Sequence, residues 1–204
     1  MTRRMREDNT PNFSSPIERE PQSSLRRELR TWARDVAFAL ALALVIIVFL
    51  YQPVKVEGTS MAPLLSDEER IFINKYVYRF EPIHRGDVIV FWYPLDRTKS
   101  FIKRVVGLPG ETLEIRDGEL YVNGKQIHEA YVPPRYFDDS NYGPIKIPAD
   151  QYFVMGDHRD SSNDSRIFGP VARKYIYGQA VFAYWPFDHF GEITAPTVSA
   201  ANGK

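Results

Sequence analysis

The chain falls into three regimes of hydrophobic and polar patterning. Met1–Ser24 is polar throughout, rich in Arg, Glu, Pro, Ser and Asn, and lacks any apolar period, which predicts a disordered tail. Leu25–Asp35 sets Arg26, Arg27, Arg30 and Arg34 around Leu29 and Trp32 and is compatible with a helix. From Val36 to Val54 no residue is charged, about 19 positions, and apolar side chains fill the run as far as Tyr51. At helical rise that length crosses roughly the 30 Å hydrocarbon core of a bilayer. Pro53 is expected to end the helix, and Trp32 and Tyr51 stand where interfacial aromatic residues lie. The arginines ahead of the run place its amino-terminal side in the cytoplasm and everything beyond it outside. A buried core helix would show a polar face, and this run has none. A cleaved export signal would have a shorter apolar core and a small-residue site after it, whereas Tyr51-Gln52-Pro53-Val54-Lys55 follows here.

Beyond the apolar run the period changes from helical to two. Arg70–Lys75 alternates, and Asp87–Tyr93 is nearly continuously apolar, as suits a strand buried on both faces. Phe101–Val106, Thr112–Ile115, Glu119–Val122, Gln151–Met155 and Gln179–Trp185 continue the series, with Asp117-Gly118 and Asn123-Gly124 as hairpin turns. Asp138–Pro148 looks like a loop or small insertion. The expected class is mostly β, an antiparallel sheet or barrel-like domain behind one amino-terminal transmembrane helix. The boundaries are a basic tail over 1–34, an anchor over 35–54, an extracytoplasmic β domain over 55–191 and a flexible tail over 192–204.

Composition narrows the chemistry. The 204 residues carry 26 basic and 26 acidic side chains, so no basic stripe points to nucleic acid. The absence of cysteine removes disulfides, thiolate catalysis and Cys-based zinc sites. His84, His128, His158 and His189 form no local ligand motif, and neither a metal nor another cofactor is expected.

Three stretches carry candidate chemistry. In Val56-Glu57-Gly58-Thr59-Ser60-Met61-Ala62-Pro63-Leu64-Leu65, a flexible Gly58 precedes the Ser60 hydroxyl, and Pro63 restricts both itself and Ala62. Such a stretch is either a turn leaving the anchor or a rigid mount for a nucleophile. Lys103 interrupts an apolar strand and shares a face with Phe101 and Val105. It is either an edge lysine facing water or a buried amine, whose pKa must fall by roughly 2 to 3 units to act as a base near neutrality. The Gly156–Pro170 loop is dense in Asp, Arg and Ser and suited to internal ion pairs; it lacks the spacing and closing Glu of a calcium loop. A Ser–His–Asp triad through His158, with Ser60 or Ser162, remains open.

Together these stretches resemble the bacterial type I signal peptidases, or leader peptidases. The resemblance rests on Gly58-Thr59-Ser60-Met61-Ala62-Pro63, on Arg85–Phe91, on Phe101–Glu111 and on the Gly156–Pro170 loop, in family order behind an anchor. It covers nearly all of the chain from Ala37 to Trp185. It implies a Ser60 nucleophile with Lys103 as general base, and the Ser60 backbone N–H as an oxyanion donor. It implies that Ser162 orients the lysine and that Asp157 with Arg104, and Asp164 with Arg166, form supporting ion pairs. Met61, Leu65 and Ile102 would line shallow substrate pockets. The position two before the nucleophile, often a serine in longer members, is Gly58, so a side-chain oxyanion donor is missing there. His158 and Ser161 stand where asparagines are common, and Leu64 where threonine is common.

The implied protein is a single-pass enzyme of the inner (plasma) membrane, with its partners the lipid bilayer and exported preproteins cleaved after an A-x-A-like site. An extended substrate would add as a strand beside Val56 and Phe101-Ile102. Phe91-Trp92-Tyr93 and Trp185-Pro186-Phe187 belong either to the ordinary core or to the membrane interface. The alternatives are a more specialised Ser–Lys protease, a pilin- or conjugation-specific peptidase or a self-cleaving repressor, and an anchored β domain with a dead site.

Overall fold

The computed structural model describes residues 22–193 and 199–200. The disordered tail expected over Met1–Ser24 lies outside these residues except at its end, where helix α1 (Gln22–Leu50) begins. The chain divides into two compact units, Met1–Val45 and Ile46–Lys204.

Within α1, Arg26–Leu50 is long and apolar enough to cross a membrane, and none of it is buried against protein. Its 25 residues rise about 37 Å, enough for a bilayer core of about 30 Å. Leu44, Val45, Ile46 and Ile47 are consecutive and all exposed, so the helix is apolar on every side. The helix ends at Leu50, before the predicted boundary at Val54, and Tyr51–Lys55 forms strand β1. Pro53 explains the change, because a helical Pro53 would clash with the carbonyl of Phe49 and could donate no bond. In β1 it costs little: β1 pairs only with β2 (Arg70–Asn74), with Pro53 opposite Phe72, so one side of the strand is free.

Helix α2 (Val77–Phe80) follows, then strands β3 (Val88–Trp92), β4 (Ser100–Gly107), β5 (Thr112–Arg116), β6 (Glu119–Val122), β7 (Lys125–His128), β8 (Tyr142–Lys146) and β9 (Gln151–Met155). Helix α3 (Ser165–Phe168), β10 (Val171–Ala172), β11 (Ile176–Trp185), β12 (Gly191–Glu192) and β13 (Ser199–Ala200) complete the described chain. One antiparallel sheet runs β1-β2-β11-β3-β4-β9-β10, with β12 on β11; a smaller one runs β13-β7-β6-β5-β8.

The period of two places three cores. Val56, Met61, Leu65, Ile71 and Val88 pack on one face of the large sheet, and Ile89, Phe91, Val105 and Val154 on the other. Val106, Phe153 and Met155 turn instead toward Leu113, Ile115, Leu120 and Val122 of the small sheet. Strands β4 and β9 are therefore a wall shared by two cores, which is why Val105-Val106 and Phe153-Val154-Met155 lack polar positions. Both predicted hairpin turns form, with positive φ at Asp117, Gly118, Asn123 and Gly124 as paired left-handed turns require.

Besides β1, five strands have no counterpart in the sequence reading: the two-residue β10 and β12, and β7, β8 and β13. Tyr142–Lys146 is β8 and not a loop; Gly143 and Pro144 disguise it, and its position at a sheet edge tolerates a proline. Lys125–His128 is short and mostly polar, so it carries no pattern of its own and is fixed by pairing with β6. Ser199–Ala200, assigned to a flexible tail, pairs with His128 and Ile127.

Gly107 marks the point where β4 passes from one core to the next. A Cβ there would lie 2.9 Å from Leu113 Cδ1 and 3.1 Å from Phe153 Cβ, and closer still to Ile147. Gly107→Ala is expected to lose about 1–3 kcal/mol of stability, read as a lowered urea midpoint without a change of slope.

Candidate active site

The segment after β1 is fastened before it reaches Ser60. Val56 N–H donates to Glu69 O at 2.7 Å, and Gly58 N–H to Asp67 Oδ1 at 2.7 Å. Gly58 has φ +89°, a conformation that L side chains rarely adopt. A tight turn follows, with Ala62 N–H on Thr59 O at 3.0 Å and Leu65 N–H on Met61 O at 3.0 Å. Met61 and Leu65 sink into the core beneath, and the Ser60 carbonyl accepts the His158 N–H at 3.1 Å. The turn is thus held by apolar burial on one side and by the Gly156–Pro170 loop on the other. Ser60 N–H has no protein acceptor among the described residues and is free to meet a ligand.

Lys103 reaches Ser60 from β4. Its Nζ donates to Ser60 Oγ at 2.6 Å and to Ile102 O at 3.0 Å, and lies 5.5 Å from the centre of the Phe101 ring. The side chain is buried, which decides against a lysine facing water. Burial lowers its pKa from the ordinary 10.5 to about 8, while the charges of Asp164 and Asp157 pull the other way. A neutral amine can take a proton from the hydroxyl it touches, and a serine relieved of its proton is a nucleophile.

The expected ion pairs form behind the lysine. Arg104 grips Asp157 through Nε–Oδ1 at 2.8 Å and Nη2–Oδ2 at 2.6 Å, and both side chains are 1% exposed. Burial pushes the Asp157 carboxyl up, and the two charged hydrogen bonds from Arg104 pull it back. Arg166 bonds Asp164 through Nε and Nη2, each at 2.9 Å, and pairs with Asp138 through Nη1. Asp164 also accepts the Gly156 N–H at 3.2 Å and caps α3 through the Arg166 N–H.

Other expectations change. Ser162 is close to Gly156, but its buried Oγ has no hydrogen-bond partner among the described residues, and Lys103 is oriented by Ser60 and the Ile102 carbonyl. Met61 and Ile102 line the cleft, whereas Leu65 is fully buried behind Met61 and supports the wall without forming it. The His158 ring meets Thr59 O through Nδ1 at 3.2 Å and Asp160 Oδ1 through Nε2 at 3.0 Å. Neither nitrogen bonds the Ser60 hydroxyl, so the triad is not assembled.

Sequence reasoning missed Arg159 and Glu129. They form a bidentate pair at 2.6 and 2.7 Å, both nearly inaccessible, and Arg159 Nε also donates to Gly156 O at 3.1 Å. Tyr131 joins them by donating to Glu129 and lies under the Arg104 guanidinium, 4.2 Å from ring to carbon. The charge density of the loop signalled internal pairing, but nothing local signalled a partner 30 residues away.

A cleft of about 670 Å³ opens above Ser60 and Lys103. Ile73 and Val90 lie on its floor, Gln52 and Val54–Thr59 along one rim and Ser100–Lys103 along the other. Both rims have backbone free to pair: β1 has one neighbour, and β4 meets β9 only from Arg104 onward. Among the described residues no group of three or more His, Asp and Glu side chains is placed to hold a metal.

A β scaffold that holds a serine hydroxyl against a buried amine in an open cleft defines a serine peptidase. The family is narrower: the model for signal peptidase, peptidase S26, matches residues 29–185, and the chain belongs to that family. It is 39% identical over 184 residues to a signal peptidase I of Bacillus amyloliquefaciens, covering 83% of this chain and 95% of the relative. Signal peptidase I S of Bacillus subtilis (strain 168) is 37% identical over 81% of this chain and 94% of its own. Signal peptidase I of Leptolyngbya laminosa is 38% identical over 80% and 83%. Among solved structures, a signal peptidase I from Enterococcus faecalis V583 matches at 34% identity with TM-score 0.44, over 48% of this chain and 97% of that one.

Gly156 tests how tightly the loop and the serine are coupled. A Cβ at Gly156 would overlap both the Ser60 carbonyl oxygen and Ser162 Oγ. Gly156→Ala is expected to lower peptidase turnover by at least about a hundredfold, because an ångström-scale displacement of a reacting group costs that much. Circular dichroism should retain the β signature; full turnover in a folded variant would show that loop and serine are not coupled.

Proposed function

We propose that this protein is a membrane-anchored serine endopeptidase that removes signal peptides from exported preproteins after an A-x-A-like site. The observation that carries the reading is the 2.6 Å contact between the buried Lys103 amine and Ser60 Oγ. Neutral Lys103 takes the Ser60 proton as Oγ attacks the scissile carbonyl, and the free Ser60 N–H donates to the oxyanion that forms. The resulting ammonium passes its proton to the leaving amine, and the C–N bond breaks to leave an acyl-Ser60 ester. Lys103, again neutral, takes a proton from the water that attacks the ester, and the ammonium returns that proton to Ser60 Oγ as the acyl carbon–Oγ bond breaks, which restores both the hydroxyl and the neutral amine. Gly58 adds no side-chain donor, so the Ser60 N–H is the oxyanion donor that this turn supplies.

The remaining residues act through these two. Arg104–Asp157 and Arg166–Asp164 hold β4 and the loop in place around the amine. Met61 and Ile102 shape the cleft that admits small side chains, with Leu65 packed behind them. Helix α1 spans the membrane with its arginine-rich end in the cytoplasm. That orientation sets the cleft outside the plasma membrane, where an exported chain emerges. An extended substrate fits between two rims whose backbone is free to bond it.

Cleavage of a preprotein by the detergent-solubilised full chain tests the assignment. Ser60→Ala and Lys103→Ala should each lower kcat by at least about a thousandfold, within the range that a nucleophile or general base supplies. Loss in Ser60→Ala alone would remove Lys103 from the chemistry, and failure of the wild type on several preproteins would overturn the assignment.

The pH profile has a defined sign. Protonated Lys103 cannot act as a base, so kcat/KM should rise about tenfold per pH unit below about 8 and level off above it. A profile that is flat between pH 6 and 9 would exclude Lys103 as the titrating base.

A further inference from the structure

Outside the cleft, a pocket of about 370 Å³ gathers Lys75, Arg79 and Arg173 with Tyr76 and Tyr177. No carboxylate lines it, and none of the three cations has an acidic partner among the described residues. Neutral groups position them instead. Arg173 donates through Nη2 to Tyr78 O at 2.5 Å and through Nη1 to Ile176 O at 3.3 Å, which leaves the rest of its guanidinium N–H groups for a ligand. The Arg79 guanidinium lies over the Tyr76 ring, 4.8 Å from its centre. Asn74 Oδ1 accepts the N–H groups of Tyr76 and Val77 at 3.0 and 3.1 Å, which fixes the turn that carries Lys75 into α2. Asp87 accepts the Tyr78 hydroxyl at 3.0 Å and the His84 N–H at 2.9 Å, and its carboxylate stays off the pocket wall. Cations gathered around one concavity without counter-charge make a field that an anion relieves.

The pocket begins where the membrane helix ends. The Lys75 N–H donates at 3.3 Å to the carbonyl of Leu50, the last residue of α1, and Asn74 stands opposite Tyr51. The headgroup layer beside a bilayer core is about 5–7 Å deep, so a residue one hydrogen bond from the helix end lies within its reach. We infer that Lys75, Arg79 and Arg173 form a binding site for the phosphodiester of an anionic phospholipid. A phosphodiester carries one negative charge and several acceptor oxygens; the planar arginine fork meets two of them, and lysine adds a point charge. A zwitterionic headgroup carries its own cation and gains less from the same three charges. The bilayer is the source of the phosphate, because the anchor keeps the pocket beside a dense array of lipid phosphates that dissolved phosphate does not match in local concentration. The inference uses the anchor of the preceding reading and none of its peptidase chemistry. Tyr177 also lines the cleft, so a bound headgroup adjoins the cleft and gives the β domain a second attachment to the membrane besides the chain at Leu50.

The test uses the full chain in mixed micelles of a neutral detergent with phosphatidylglycerol or phosphatidylcholine, and reads the thermal midpoint by near-UV circular dichroism. Phosphatidylglycerol should raise the midpoint saturably with its mole fraction, and phosphatidylcholine should not. Lys75→Ala and Arg79→Ala should each raise the half-saturating mole fraction about fivefold, the loss expected for one cation beside an anionic surface. Lys75→Glu combined with Arg79→Glu should abolish the shift. Both side chains are exposed, so the variants should keep the wild-type midpoint without lipid. Lys125→Glu makes the same kind of charge change at an exposed residue of β7, outside the pocket, and should keep the full response. An equal response to the two lipids would overturn the site, as would a response that survives in the double variant or is lost in Lys125→Glu. Inorganic phosphate that reproduces the pocket-dependent shift in lipid-free micelles would overturn the lipid as its source. Release of the chain from phosphatidylcholine vesicles by alkaline carbonate would instead overturn the anchor, and peptidase activity enters none of these readouts.

Discussion

Burial of one amine organises this molecule. A lysine removed from water loses the hydration of its ammonium, and the penalty is what brings the Lys103 pKa within reach of neutrality. That environment has to be dry, and the sheet makes it so. Val105 and Val154 pack one face, Val106 and Met155 the other, and Lys103 sits at the end of this doubly covered stretch of β4. The Ser60 turn then closes over the amine, pinned by Met61 and Leu65. Neither the strand nor the turn is sufficient alone: the strand supplies desolvation, and the turn supplies the hydroxyl at 2.6 Å.

Charge makes the arrangement rigid. Arg104, Arg159 and Arg166 each hold at least one carboxylate, and each also donates to a backbone carbonyl, of Gly86, Gly156 and Arg159 respectively. Buried ion pairs are weak contributors to net stability, since desolvation offsets most of the Coulombic gain, but breaking one leaves an uncompensated charge. Their value here is geometric. Arg159–Glu129 ties the loop to the chain after β7, Arg166–Asp138 ties it to the chain before β8, and Arg104–Asp157 ties it to β4. The same loop presents His158 N–H to the Ser60 carbonyl, so the position of the hydroxyl is referred to both sheets.

Much of this was legible in the chain itself. Seven strands showed as period-two or continuous apolar runs because each buries at least one face, and two hairpins were announced by Asp-Gly and Asn-Gly. What escaped had no local signature. Strand β8 hides behind Gly143 and Pro144, and β7 and β13 exist by virtue of their neighbours. The end of α1 was misplaced by a few residues because Tyr51–Val54 is uncharged, and absence of charge does not separate a helix from an edge strand. Ser60 and Lys103 stood out as odd residues within constrained stretches, but their contact spans 43 positions and required the fold. Arg159 and Glu129 failed the same test more completely, since an arginine in a polar loop is unremarkable until its partner arrives.

The two free rims of the cleft leave the protein with unpaired backbone along Tyr51–Lys55 and Ser100–Lys103. Main-chain amides and carbonyls are common to every polypeptide, so an edge of this kind grips by conformation and is indifferent to the identity of most side chains. On the proposed reading, clients need share almost no sequence, only the ability to lie flat and extended across the opening. A client whose segment stays coiled into a helix would be refused however suitable its residues. Selection would then act on the unwinding of the client, and a proline or glycine upstream of the cut would serve as a ticket of admission by breaking the helix before it arrives.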